Sequence, residues 1–386
     1  MNSRGSRHAV SRSSYATIST TLEMNSGKPT VVVTGVSGNL GLRLLPHLTD
    51  FSVIGIDIAP PKTDLPIRFI RMDLGLEDSC RALYNLFRET RPLSVVHLAF
   101  VIDPQRSGVV DVDRMWHINV AGTARVMEAI TEANRTEDSG IRQFIYPSSV
   151  AVYGPDLPGP VAEDFPFEAH TLPYALHKRE SDEVVQQRAP SLRGCSAYIL
   201  RPHIFAGASV ENYLIGAFRG TPNGKGKRAE RMRKEGKRLP CMLPYGQRYL
   251  DNQIQFVHVD DMARLITWIL LREPEARRLT ILNVAGRGEP LTFASCIETA
   301  HAKLVRVLGK WTMRLVLDFL WRRGISSIPP DAVPYMTGQY IMNTDRLKKF
   351  LGEDYEKVIR YTVADAYADS FKAPAPVAES QKLVAR

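Results

Sequence analysis

The sequence predicts an α/β fold: a doubly wound parallel sheet, with a smaller, discontinuous second domain drawn from the C-terminal part of the chain. Three observations carry this. Short β-branched runs without polar breaks, such as Thr30–Thr34, alternate with longer helix-compatible stretches up to about residue 205. A glycine-rich turn lies directly between the first strand and the first helix. The chain has 386 residues, enough for one large domain or two closely joined ones.

In order, Thr30–Thr34 reads as a strand buried on both faces, followed by a helix around Leu40–Thr49. Ser52–Asp57 is a second strand and Ile67–Met72 a third, with a helix near Glu77–Glu89. Ser94–Phe100 is a fourth strand, and a long helix covers about Asp111–Ala133. Gln143–Pro147, a helix over Tyr174–Gln187 and Ala197–Leu200 continue the alternation, which builds a parallel sheet with helices on both faces. Beyond it, residues 219–238 are rich in Gly, Lys and Arg without an apolar face, and read as a mobile loop. Gln255–His258 reads as a strand, Met262–Leu271 as a helix rejoining the first domain, Thr280–Val284 as a strand, and the remainder as mostly helical.

Composition excludes several classes. Hydrophobic residues at 44% and charged residues at 24% describe an ordinary globular chain, not a disordered one. No apolar run reaches the roughly 18 residues of a membrane span, and no apolar core follows the N-terminal arginines as a secretory signal would require. The net charge of +9 is local. Residues 1–29 carry a net +3 and residues 219–238 a net +7, so the rest is near neutral and no nucleic-acid surface is indicated. Cys80, Cys195, Cys241 and Cys296 are widely spaced, which disfavours a metal site or redox dithiol and suits a reducing cytoplasm. Residues 1–29, rich in Ser, Thr and Arg, read as a disordered tail, with an organelle-targeting segment as the alternative.

Gly35-Val36-Ser37-Gly38-Asn39-Leu40-Gly41 closes the first strand and opens a helix. Glycines there allow a tight turn and a close approach to a pyrophosphate seated on the helix N-terminus. The spacing is GxxGxxG rather than GxGxxG. Asp57 ends the second strand, where a carboxylate accepts from both ribose hydroxyls and repels a 2′-phosphate, favouring NAD over NADP. Tyr174 and Lys178 stand at i, i+4 on one helix face, and Ser149 lies just past the fifth strand. An ammonium beside a phenol, with a positive nicotinamide ring, is expected to pull the Tyr174 pKa toward neutrality and make it a proton acceptor for an alcohol. Ser149 would hold the substrate oxygen.

These pieces, with VVHLAF (Val95–Phe100), NVAGT (Asn119–Thr123), YPSSVAVYG (Tyr146–Gly154), YALHK (Tyr174–Lys178), LRPHIFAG (Leu200–Gly207), FVHVDDMA (Phe256–Ala263) and NVAG (Asn283–Gly286), occur in order over residues 30–290. The chain thereby resembles the extended short-chain dehydrogenase/reductase superfamily and, within it, the NAD-dependent epimerase/dehydratase family. NTDRLKKFLG (Asn343–Gly352) resembles that family's C-terminal signature.

The resemblance implies a Rossmann-type NAD domain over 30–205 and about 253–285, a substrate domain over 206–252 and 286–372, and a flexible tail over 373–386. It implies Ser149, Tyr174 and Lys178 as catalytic residues. Gly35, Ser37, Gly38, Asn39, Leu40, Gly41, Asp57, Asp73, Leu74, Leu98, Ala99, Phe100, Pro202 and Ile204 would contact the cofactor, as would Tyr174 and Lys178. Asn119 is placed with them or, equally, as a helix-packing residue. His97 and His258 are read as structural, and Asp260 and Asp261 as the N-cap and first-turn acid of the next helix. Family 4,6-dehydratases carry an Asp-Glu pair after the catalytic Ser or Thr; here Val150 and Ala151 stand there, so water elimination is disfavoured.

The implied function is epimerisation of a nucleoside-diphosphate sugar, by transient hydride transfer through a keto intermediate, in a cytoplasmic homodimer. The alternatives are a net dehydrogenase or reductase of an apolar hydroxy compound, sterol-like or flavonoid-like, and a non-catalytic NAD-sensing protein; the intact Ser149, Tyr174 and Lys178 argue against the last. The segment 219–238 either contacts the substrate diphosphate or is a solvated loop. Trp311–Trp321 reads as a helix packing its apolar face on the body, in preference to a membrane surface or a lipidic substrate.

Overall fold

The computed structural model describes residues 27–63, 65–102, 107–135, 140–273 and 279–372. Of the expected tails, all but 27–29 lie outside the described residues.

Seven strands form one sheet: β1 (Thr30–Thr34), β2 (Ser52–Asp57), β3 (Arg68–Arg71), β4 (Ser94–His97), β5 (Gln143–Pro147), β6 (Ser196–Pro202) and β7 (Leu279–Val284). Every pairing is parallel and the spatial order is 3-2-1-4-5-6-7. The order reverses between β1 and β4, the place where an open α/β sheet leaves a crevice at its carboxyl ends. Strand alternation sorts the core. Val31 and Val33 join the cluster containing Leu44, Ile266 and Leu347, while Val32 joins that of Leu83, Phe87, Val126 and Ile130. Burial on both faces is why these strands lack polar breaks. A third cluster, including Phe218, Phe256, Phe293, Met313, Leu317 and Tyr367, fills the region beyond the carboxyl ends.

Several elements differ from the expectation. The first helix is Asn39–Leu44 followed by a 3₁₀ turn, Leu45–His47, because Pro46 lacks the N–H that an α-helix needs. The strand expected to reach Phe100 stops at His97, and the backbone then bends over β1, with Leu98 N–H on Thr34 O at 3.0 Å and Ala99 N–H on Thr34 Oγ1 at 3.2 Å. The long helix is Val112–Trp116, a π-turn His117–Ala121, and Gly122–Ala133. The π-turn frees the carbonyl of Asn119 to accept from both Thr123 and Ser181.

Residues 219–238 are corrected from a mobile loop: Lys227–Lys234 is a helix with Ala229 buried beneath it. Arg233 donates to Pro222 O, and to Gly224 O at 2.9 Å, and further anchoring comes from backbone contacts that composition does not display. Gly224 N–H bonds Ile325 O at 3.0 Å and Gly226 N–H bonds Gly324 O at 2.8 Å. A Cβ on Gly224 would lie 2.2 Å from Gly324 O, so only glycine permits this approach. The C-terminal region also holds the strand Leu304–Val307, which pairs in parallel with Cys241–Pro244.

Candidate active site

The turn after β1 is shaped by Gly35 at φ 68°, where a Cβ would sit 2.5 Å from Ala99 N. At Gly41 a Cβ would sit 2.4 Å from Val36 O. The Asp57 carboxylate reaches back from the end of β2 to accept Ser37 N–H at 3.0 Å and Ile58 N–H at 2.7 Å. Ser37 Oγ donates to Ala59 O at 2.5 Å. Asp73 accepts Gly75 N–H at 2.8 Å and is ion-paired with Arg114, so its carboxylate is engaged within the protein.

Ser149 caps the 3₁₀ turn Val150–Tyr153, its Oγ accepting Ala151 N–H at 3.2 Å. Tyr174 and Lys178 lie on the first turns of the helix Pro173–Arg188, where Pro173 supplies a preset φ at the helix start. Phe100 meets Tyr174 edge-on, with ring centroids 5.9 Å apart. The Lys178 ammonium is buried, donates to Pro147 O at 2.7 Å, and lies 3.7 Å from the centre of the Phe100 ring. Burial pulls Lys178 down to about 7 against the opposing pull of Asp182. Burial also raises Tyr174, and the facing Ser149 hydroxyl works against that rise. The Lys178 ammonium faces Pro147 O and Phe100 and is not among the groups acting on Tyr174.

All the anticipated contacts except Asn119 line one cleft of about 1550 Å³. It runs from Gly35, Ser37, Gly38, Asn39, Leu40, Gly41 and Asp57, past Asp73, Leu74, Leu98, Ala99 and Phe100, to Ser149, Tyr174, Lys178, Pro202 and Ile204. Asn119 is fully buried beneath the cleft wall. Its Oδ1 accepts Val101 N–H at 2.7 Å and its Nδ2 donates to Val101 O at 3.1 Å, which clamps the segment after Phe100.

The histidines do structural work. His97 is held between Thr34 Oγ1 (2.7 Å) and Thr123 Oγ1 (3.0 Å), and burial lowers it to about 3. His258, rather than Asp260, caps the helix Val259–Leu270; both Asp260 and Asp261 fall in its first turn. His258 also stacks on Tyr361 at 3.7 Å and meets Asp369 at 3.1 Å. No group of three or more metal-ligating side chains occurs among the described residues.

The sequence reading missed several groups. His203 lines the cleft as a neutral imidazole: Nδ1 accepts Ile204 N–H at 2.8 Å, so Nε2 carries the proton shared with Tyr340 O at 3.2 Å. Burial lowers it to about 3. Ser148 Oγ and Tyr340 Oη are buried without a hydrogen-bond partner among the described residues. The cleft is also lined by Arg219, Arg233, Lys237, Arg238, Tyr335 and Met336. Behind it, Arg201 and Asp182 form a buried two-pronged ion pair, at 2.9 and 3.0 Å, that ties β6 to the helix carrying Tyr174. A lone Arg in the apolar run Tyr198–Pro202 was the available signal for this pair.

With the fold and cleft in view, the chain is placed in a class of NAD-dependent enzymes built on the short-chain dehydrogenase/reductase scaffold. The NAD dependent epimerase/dehydratase family model matches residues 31–285, and the chain belongs to that family. The UDP-glucose 4-epimerase of Azospirillum brasilense is 28% identical over 192 residues, covering 48% of this chain and 52% of that protein. The chain spans about half the length of the curated relatives it matches. The UDP-glucose 4-epimerase of Thermotoga maritima, solved with UDP-glucose, superposes with a TM-score of 0.59 at 16% identity, over 92% of this chain and 99% of that one. The dTDP-glucose 4,6-dehydratase of Bacillus anthracis, solved with NAD, gives 0.61 at 15% identity over 92% and 99%. Both chemistries share this fold, so the site has to discriminate between them.

Proposed function

We propose that this chain is an NAD-dependent epimerase of a nucleoside-diphosphate sugar. The observation that carries the reading is the cleft whose lining joins the glycine turn, the Ser149–Tyr174–Lys178 set and the cations Arg219, Arg233, Lys237 and Arg238. A dinucleotide and a second, doubly charged ligand meeting at Tyr174 suit that layout.

The donor set fits NAD. The turn Gly35–Gly41 offers backbone N–H groups to a pyrophosphate, and the Asp57 carboxylate suits free ribose hydroxyls. Leu98, Ala99, Phe100, Pro202 and Ile204 form apolar walls for the nicotinamide. When bound, the dinucleotide supplies a hydride acceptor and donor beside Tyr174. Tyr174 Oη takes the proton of the substrate hydroxyl and later returns it. Ser149 Oγ orients that hydroxyl, and Lys178 holds ribose hydroxyls. Asn119, through Val101, keeps Phe100 against Tyr174 and Lys178. Val150 and Ala151 beside Ser149 carry no acid or base, which supports epimerisation over elimination. The rival net dehydrogenase of an apolar hydroxy compound is favoured by Leu172, Val210, Leu214, Met336 and Phe371 in the same lining.

The reading extends to a cytoplasmic homodimer. No helix among the described residues is long and apolar enough to cross a membrane. Val112 and Trp116 are exposed one helical turn apart beside the helix Pro173–Arg188, with Trp116 Nε1–H on Glu180 at 2.6 Å, and they suit a subunit contact.

The test is incubation with NAD and a panel of nucleotide sugars. The expected result is interconversion of two epimers with no accumulation of NADH. Stoichiometric NADH release from a sterol-like alcohol, with no epimer formed from any sugar, would move the rival ahead.

A further inference from the structure

We propose that this protein docks on an anionic lipid bilayer through the exposed apolar face of the helix Lys310–Arg322, with the basic helix Lys227–Lys234 lying against the phosphates beside it. The proposal is independent of the substrate reading.

The helix Lys310–Arg322 has two apolar faces, and the fold uses one. Met313 and Leu317 are buried in the core beyond the sheet. Trp311, Leu315 and Phe319, at i, i+4 and i+8, are 63%, 60% and 48% exposed, and Leu308 just before them is 76% exposed. Packing on the body, the reading preferred from sequence, thus accounts for Met313 and Leu317 and leaves a contiguous row in water. Such a row on a folded chain marks an interaction site.

Charge identifies the partner. Residues 303–323 hold six Lys or Arg and one acid, Asp318, which is paired with Arg322 at 2.8 Å. The Arg323 guanidinium lies over the Phe319 ring at 5.0 Å, a cation at the edge of the apolar row. The second helix is attached at the same point, since Gly226 precedes Lys227 and bonds Gly324 at 2.8 Å. Its Lys227, Arg228, Arg231 and Lys234 are exposed, and none of them lines the cleft. An aromatic and aliphatic row bordered by cations is the pattern of a helix lying in the interface of an anionic bilayer. With no spanning helix among the described residues, the contact is peripheral.

The full chain is to be sedimented with vesicles of phosphatidylcholine and phosphatidylglycerol, and with phosphatidylcholine alone. Binding is expected to the first and not the second, and to weaken as salt is added. Trp311→Ser/Leu315→Ser/Phe319→Ser should lower the partition by about tenfold or more. Lys227→Gln/Arg228→Gln/Arg231→Gln/Lys234→Gln should weaken the preference for anionic lipid, which the cations of residues 303–323 then carry alone. If the triple variant misfolds, fluorescence carries the test: vesicles should blue-shift the parent's emission and shift Trp311→Phe much less. Three results would each overturn the proposal. They are no sedimentation with anionic vesicles, equal binding by a folded triple variant, and a parent dimer that ignores vesicles and dissociates in that variant, which would assign the face to a second copy.

Discussion

The Lys178 ammonium lies 3.7 Å from the centre of the Phe100 ring and donates to Pro147 O at 2.7 Å, buried on all sides. Phe100 in turn meets Tyr174 edge-on. The Tyr174 phenol and the lysine are therefore coupled through one ring, and the lysine carries its charge at a cost in desolvation.

That cost has a pH signature. Lys178 sits at about 7 in the folded chain against 10.5 ordinarily. Between those values the unfolded chain holds a proton that the folded chain has released, so the contribution to stability is full above 10.5 and lost as pH falls through about 7. Its slope reaches at most about 1.4 kcal/mol per pH unit. Denaturant unfolding of the cofactor-free parent and of Lys178→Met at about pH 7 and about pH 9 checks this. The parent should gain on the variant as pH rises, and parallel profiles would count against it.

Tyr174→Phe should leave NAD binding close to intact and reduce turnover by roughly 10²-fold or more, as loss of a general base does. Lys178→Ala should harm both binding and turnover. Near-normal turnover in Tyr174→Phe would mean that the proton leaves by another route.

NAD should bind more tightly than NADP, with Asp57 as the cause. Asp57→Asn should weaken the preference while keeping an acceptor for Ser37 N–H, which Asp57→Ala would leave without its partner. Titration with both dinucleotides decides the matter, and equal affinities in the parent would defeat it.

The cations that line the cleft can be separated by experiment from those of residues 219–238 that lie outside it. Lys237→Gln/Arg238→Gln should raise the nucleotide-sugar KM with little change in kcat, and the parent KM should rise with ionic strength. Arg228→Gln/Arg231→Gln, whose side chains lie outside the cleft, should leave KM in place. Equal KM shifts in the two variants would point to a diffuse field in place of a site.

Asp182→Ala should destabilise the fold by about 3–5 kcal/mol, because it leaves the Arg201 guanidinium buried without its carboxylate. Thermal or denaturant unfolding measures this, and a loss below about 1 kcal/mol would show that water or Glu163 replaces the pair.

The sheet and one wall of the site were legible because their signals are local. A strand buried on both faces must be continuously apolar, as Val31–Val33 are. So tight a turn needs glycine where the backbone crosses Ala99, and a phenol and an ammonium four residues apart must share a helix face. The sequence by itself thus determined the doubly wound parallel sheet, the turn at Gly35 and the helix face shared by Tyr174 and Lys178. Other assignments depended on neighbours distant in the chain. Asn119 turns toward Val101 because a π-turn rotates it there, and residues 227–234 hold a helix because Gly226 meets Gly324. His258 takes the cap that Asp260 could equally have supplied. The Lys178 charge points to Phe100, and Leu315 faces water while Leu317 is buried, because burial and dielectric are set by whatever packs alongside. Spacing along one chain carries the direction of a side chain, and only the tertiary structure decides what that side chain meets.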